Sequence, residues 1–107
     1  MSFNVIPTPL FERELKKLSK RHISIKTDVA KLIATLEKTP AIGESLGNNC
    51  YKIRMAVSSK NKGKSGRARI ITYLKVVKEE IYLLSIYDKT DTDTLGDNEI
   101  ISRLKLL

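Results

Sequence analysis

The sequence predicts an α+β fold: an antiparallel-dominated four-stranded sheet with an N-terminal helical hairpin on one face and a C-terminal helix. Three observations predict it. Residues 8–40 carry two apolar stripes at helical spacing, residues 50–87 carry three runs that alternate in side-chain character, and residues 95–104 open with helix-start chemistry. A chain of 107 residues is expected to form one domain, 1–107, with enough length for one hydrophobic core.

Phe3–Ile6 reads as a short first strand. Thr8 then stands as N-cap and Pro9 at the first helical position, where a missing N–H costs nothing. Leu10–Arg21 follows as a helix, with Phe11, Leu15 and Leu18 on one face. Ser24 is placed to cap a second helix. Its stripe is Ile25, Val29, Leu32, Ile33 and Leu36, and Pro40 marks its end. So short a connection makes the two helices an antiparallel hairpin. Ala41–Asn49, with Gly43, Gly47, Asn48 and Asn49, reads as loop. Strands are expected at Cys50–Ser58, Arg67–Val77 and Glu80–Tyr87, the last two joined by a tight turn at Lys78-Glu79. Near the end, Gly96 stands as N-cap, Glu99 as the acid of a capping box, and Leu95 with Ile100 as a hydrophobic staple. Ile100, Ile101 and Leu104 dock this helix. The order is β-α-α-β-β-β-α, with helices covering one face of the sheet and the other face open.

Charge is distributed unevenly. Residues 50–78 hold nine Lys or Arg and no Asp or Glu. The net charge is +8, so the other 78 residues sum to −1. A local cationic field attracts polyanions, which makes nucleic acid the expected partner. Strand alternation sorts the cations. Tyr51, Ile53, Met55 and Val57 oppose Lys52 and Arg54; Ala68, Ile70, Thr72, Leu74 and Val76 oppose Arg67, Arg69, Ile71, Tyr73 and Lys75. On the last strand Tyr82, Leu84 and Ile86 oppose Leu83, Ser85, Tyr87 and, just beyond, Lys89. With the apolar sets against the helices, Lys52, Arg54, Arg69, Tyr87 and Lys89 converge on the open face, which Tyr73 shares. Cations with interleaved aromatics suit single-stranded RNA. A solvated basic face is the plain alternative for any charge run. Against it stand cations that come from three strands and are expected to lack acidic partners.

The remaining composition narrows the chemistry. The longest apolar run, Ile81–Leu84, is far short of a bilayer span. The N-terminus lacks the pattern of a signal peptide, and a reducing cytoplasm is the expected compartment. Cys50 alone makes no internal disulfide, and Cys50 with His22 shows no zinc-ligand spacing. Cys50 reads as a small hydrophobe. A single histidine excludes a two-histidine mechanism, and His22 reads as a surface cation at a helix C-terminus. Asp88, Asp91 and Asp93 read as loop rather than as a metal cluster. No metal and no small-molecule cofactor is expected.

The strings CYKIRM at Cys50–Met55, SGRARIITY at Ser65–Tyr73 and IYDK at Ile86–Lys89, with a Lys/Gly-rich loop between the first two, resemble the RelE/ParE superfamily of bacterial toxins. The long basic loop and the IYDK…L…NEI ending resemble its RelE/HigB branch. The resemblance spans nearly the whole chain, including the FERELKKL helix. It implies a type II toxin–antitoxin toxin: a small cytoplasmic ribonuclease that enters the ribosomal A site, cuts mRNA there, and is silenced by a co-expressed antitoxin. It implies Lys52 and Arg54 as the basic pair of the first catalytic strand, Arg69 as the arginine of the next, and Lys89 where the family has an arginine. The family's C-terminal catalytic tyrosine has no match, since Ile100 falls near that place, and Tyr87 stands as the substitute. The ParE branch shares the fold but poisons DNA gyrase without cleaving RNA. That function is the alternative, and an inactive nucleic-acid-binding member is a third.

The implied reaction is metal-independent attack of an RNA 2′-OH on the adjacent phosphate. It needs a base, cations around the developing phosphorane charge, and a proton for the leaving 5′-oxygen. Crowded cations depress one another's pKa, which suits Lys52 to the base role. Arginine stays charged. Arg69 is therefore assigned to the transition-state phosphate, Arg54 to phosphate positioning, and Lys89 or Tyr87 to the leaving oxygen. Lys60, Lys62, Lys64 and Arg67, together with Tyr73, are assigned to RNA binding.

Overall fold

A computed structural model describes residues 2–60, 67–89 and 95–107, the side chain of Lys60 excepted. β1 (Asn4–Pro7) leads into α1 (Pro9–Ser19) and α2 (Ile25–Lys38). β2 (Glu44–Gly47), β3 (Cys50–Ala56), β4 (Arg67–Lys75) and β5 (Glu80–Asp88) follow, and then α3 (Asp97–Leu104). The fold is α+β, with three α-helices and a mixed five-stranded sheet among the described residues. The strand order is β1-β5-β4-β3-β2, with β1 parallel to β5 and the other pairs antiparallel.

The expected four strands are thus five. The extra one lies inside the segment read as loop. Asn48 and Asn49 both take positive φ, 54° and 61°, and Gly47 pairs with Cys50 across them. That is a two-residue hairpin turn of the mirror-image type, whose backbone asparagine tolerates. Every β2 residue is exposed, so no apolar alternation marks the strand. Gly43 brings the chain in at φ 101°, and a Cβ there would lie 2.4 Å from the carbonyl oxygen of Lys52. Only glycine permits that approach to β3.

The helix ends follow the sequence in part. Thr8 caps α1: its Oγ1 accepts from the Phe11 N–H at 3.4 Å and donates to the Leu83 carbonyl at 2.8 Å, which ties the helix start to β5. Ser24 stands at the N-cap position of α2, but its side chain makes no cap hydrogen bond. Its hydroxyl donates instead to Asp28 Oδ2 at 2.8 Å, a charged acceptor one turn away. Glu99 does not close a capping box with Gly96; its carboxylate accepts from Arg103 Nε at 2.7 Å. β3 stops at Ala56 because Ser58 turns to Asp28, giving it an N–H at 3.0 Å and a hydroxyl at 2.7 Å. β4 stops at Lys75, and a 3-10 turn over Val76–Lys78 leaves Val76 and Val77 exposed, with Glu79 at φ 54° leading into β5.

Burial alone would push the Asp28 carboxyl up. The Ser58 hydroxyl and N–H, the Ser24 hydroxyl and the charge of Lys31 outweigh it, and the group sits below its ordinary value. A lowered folded pKa contributes stability that is complete above the unfolded value, about 3.9, and is lost as pH falls through the folded one. Asp28→Asn should therefore lower stability by about 1.5–3 kcal/mol at neutral pH and by less in acid. Urea midpoints at pH 7 and pH 3 measure this. A neutral-pH midpoint equal to wild type would show that the network does not hold the α2 start to β3.

Two apolar clusters flank the sheet. On one face Phe11, Leu18, Ile25, Val29 and Leu36 meet Ile53, Ile70, Leu83 and Ile86. On the other, Ile100 of α3 joins Cys50, Ile71, Leu84 and Tyr87, with Leu95 and Leu104 packed alongside. The face expected to be open is thus partly roofed by α3. The cause is local. The β4–β5 register passes from Ile71↔Ser85 to Thr72↔Leu83, so Leu84 is an extra, bulged residue. The bulge reverses the alternation read for the start of this strand: Leu83 faces the helical hairpin, while Tyr82 lies on the face of Tyr73. Leu84 and Ile71 then need an apolar cover, and α3 supplies it.

One charged cluster closes the β5 edge. β1 pairs with β5 only as far as Leu83. Beyond it, Glu14 Oε1 accepts from the Ile86 N–H at 3.2 Å, and Arg103 Nη1 donates to the Leu84 carbonyl at 2.7 Å. The two side chains pair bidentately, at 2.8 and 2.9 Å, so α1 and α3 meet across the exposed strand edge.

Candidate functional site

Antiparallel pairing sets the site. Arg54 lies opposite Arg69, and Arg69 opposite Tyr87, which puts three expected site residues in one row across β3, β4 and β5. Lys52 lies in the next row on the same face, opposite Ile71. Like charges directly opposite destabilise a sheet. Arg54 is exposed and relieves part of this in water, whereas Arg69 is only 6% exposed. Its Nη1 is buried with no hydrogen-bond partner among the described residues. An unpaired buried donor costs about 1–3 kcal/mol, more when charged. An anion bound at the row would satisfy Arg69 and quench its repulsion with Arg54 together.

The neighbours complete the geometry. Lys52 is half-buried and does have an acidic neighbour, contrary to expectation: its Nζ lies 3.9 Å from Glu44 Oε1. Glu44 belongs to the unforeseen β2 and pairs in register with Lys52. The Glu44 side chain is 65% exposed, so the pair is a weak one. Tyr87 is buried, and its Oη accepts from the Leu95 N–H at 3.3 Å, which leaves the phenol's own proton to donate. Lys89 is exposed, one residue past the end of β5. Arg67 is exposed at the start of β4, opposite Ala56. Tyr73 lies four positions along β4 from Arg69 and stacks on Tyr82, with centroids 6.2 Å apart and planes at 28°; it is not part of the arginine row. Lys62 and Lys64 lie outside the described residues, as do Asp91, Asp93 and the side chain of Lys60.

Two readings change. Asp88 is not a loop residue but the buried last residue of β5, on the helical side. His22 is half-buried rather than at the surface, with Nε2 2.9 Å from Asp88 Oδ2. The contact pins the strand end between Tyr87 and Lys89, so both residues position the site. Sixty-six residues separate them, and no local pattern announces the pairing. Cys50 is buried, and burial pushes its thiol up, as suits an inert side chain. Among the described residues no group of three or more His, Cys, Asp or Glu is placed to hold a metal ion. No helix of the described residues is long and apolar enough to cross a membrane.

No known sequence-family profile matches the chain. Solved structures do. A double arginine-to-alanine mutant of E. coli toxin RelE in the free state matches with a TM-score of 0.63 and 17% identity, over 100% of this chain and 99% of that one. The chain has the RelE fold. The intact E. coli RelBE toxin–antitoxin complex matches with a TM-score of 0.60 and 18% identity, over 79% of this chain and 94% of the other. The RelBE2 toxin–antitoxin complex of Mycobacterium tuberculosis matches at 0.53 and 15%, over 82% and 99%. Within this RelE fold the arginine row crosses the middle of the sheet, on the face that α3 only partly covers.

Proposed function

We propose that this chain is the toxin of a type II toxin–antitoxin pair, a ribosome-dependent mRNA endoribonuclease acting as one domain in the cytoplasm. The observation that carries the reading is the buried Arg69, whose Nη1 has no partner among the described residues, set directly against Arg54 and Tyr87. A structural arginine is paired; one held unpaired in a row of donors is waiting for an anion. The RelE fold supports the toxin assignment, and the likeness to two toxin–antitoxin complexes supports a cognate antitoxin as partner.

In this mechanism Lys52, as the neutral amine, takes the proton of the 2′-OH, whose oxygen forms a bond to the adjacent phosphorus. Arg69 and Arg54 hold the non-bridging oxygens as charge grows on them. The P–O5′ bond breaks, and Tyr87 or Lys89 protonates the departing oxygen. The products are a cyclic phosphate and a free 5′-hydroxyl, with no cofactor consumed. The loop cations Lys60, Lys62 and Lys64, with Arg67, grip ribosomal RNA. Mapping cut sites on translated and on naked mRNA tests this. Cuts confined to translated message are expected. An uncut message, with DNA synthesis halting before translation and double-strand breaks appearing, would replace this reading with gyrase poisoning.

A further inference from the structure

A second site lies on the same sheet face, away from the arginine row. A cavity of about 520 Å³ has Tyr73 and Tyr82 among its walls, with the Asn48-Asn49 turn on one side, Leu104 of α3 on another, and Lys75 beside the tyrosines. This volume is in the range of small-molecule sites, about 300–1,000 Å³. Its parts are held in place by bonds that leave the recognition groups unused. The Asn49 carbonyl accepts from the Leu74 N–H at 2.8 Å, which fixes the turn, while neither asparagine amide side chain is hydrogen-bonded among the described residues. The Tyr82 hydroxyl donates to Glu80 Oε1 at 2.9 Å, which orients the ring and holds the phenol above its ordinary pKa. The same bond occupies the carboxylate of Glu80, the register partner of Lys75.

We propose that this cavity takes an unpaired nucleobase, stacked on the exposed part of Tyr73 and read along its edge by Asn48 and Asn49, with Lys75 on its phosphate. Aromatic faces and amide side chains are the usual means of reading single-stranded RNA. Tyr73 is about 13 Å from Arg69 along β4, so a strand held at both points would be registered relative to the cut. The inference rests on the nuclease reading for its substrate class, and it adds a base-selecting site to it.

The test is titration of the full chain with AMP, CMP, GMP and UMP, followed by NMR. Shifts at Tyr73, Tyr82, Asn48 and Asn49, with one base preferred, are expected. Tyr73→Leu should weaken binding about tenfold or more, and Tyr73→Phe should not. If Tyr73→Leu fails to fold, Asn49→Asp, which keeps a residue tolerant of positive φ, should change the base preference. Shifts confined to the Arg54 and Arg69 row would overturn the pocket and leave the nuclease reading standing. Pocket binding by a chain that leaves translated mRNA uncut would do the reverse. Crosslinking 4-thiouridine placed in mRNA or in ribosomal RNA to the peptide containing Tyr73 identifies the source. A crosslink from either strand supports the assignment, and nucleotide binding without any crosslink overturns RNA as the ligand.

Discussion

Arg69→Met should lower mRNA cleavage by about 100- to 1,000-fold and leave the protein at least as stable as wild type. Methionine keeps an unbranched stem in a site that is only 6% exposed, and it removes a guanidinium whose Nη1 has no partner among the described residues. Replacing a buried ionic group by an apolar one of similar shape is often neutral or stabilising. It also removes the charge facing Arg54 across the β3–β4 ladder. Opposite signs for stability and activity are what distinguish a site residue from a structural one, since a structural arginine loses both together. Thermal unfolding and cut-site yield on the same sample measure them. A stable Arg69→Met protein that cleaves normally would remove Arg69 from the chemistry.

Arg103→Leu should destabilise the fold by about 2–3 kcal/mol. Arg103 binds both oxygens of Glu14, the Glu99 carboxylate and the Leu84 carbonyl. The bond to Glu14 raises its already high pKa, burial opposes that, and the bonds and charge of Glu99 add to the rise, so the side chain is charged at every accessible pH. Its side chain is 11% exposed and that of Glu14 28%, so solvent screens the pair only in part and the value falls below that of a fully buried pair. Loss of the clamp frees α3 from α1 and uncovers Leu84 and Ile71. A double-mutant cycle with Glu14→Gln should give a coupling above about 1 kcal/mol. Hydrogen exchange should quicken first in α3. Single variants within about 0.5 kcal/mol of wild type would show that the edge closes without this pair.

How much could be read in advance depended on periodicity. The stripes of α1 and α2 and the alternation of β3 and β4 bury one face, so sequence spacing and observed packing agree for Phe11, Leu18, Ile25, Val29, Ile53 and Ile70. Lys52, Arg54 and Arg69 were placed together on the face opposite this core by the same reasoning, and the strand register puts them there. The strand at Glu44–Gly47 escaped because each of its residues is exposed and it carries no apolar alternation, and with it went the acidic neighbour of Lys52. Its one signal was Asn48-Asn49, a pair suited to two consecutive positive φ values. The start of β5 was inverted because a single extra residue, Leu84, flips every side chain on one side of it.

By itself the chain of residues determined the helices, four of the five strands and the gathering of positive charge, because each follows from spacing within a few positions. Tertiary structure alone decided which cation is buried, that α3 partly roofs the face of the arginine row, that His22 meets Asp88, and that Glu14 meets Arg103 across a strand edge. These depend on contacts between residues far apart in the chain. Whether a charge sits in water or in a desolvated row is settled by what packs over it, and local sequence carries no record of that.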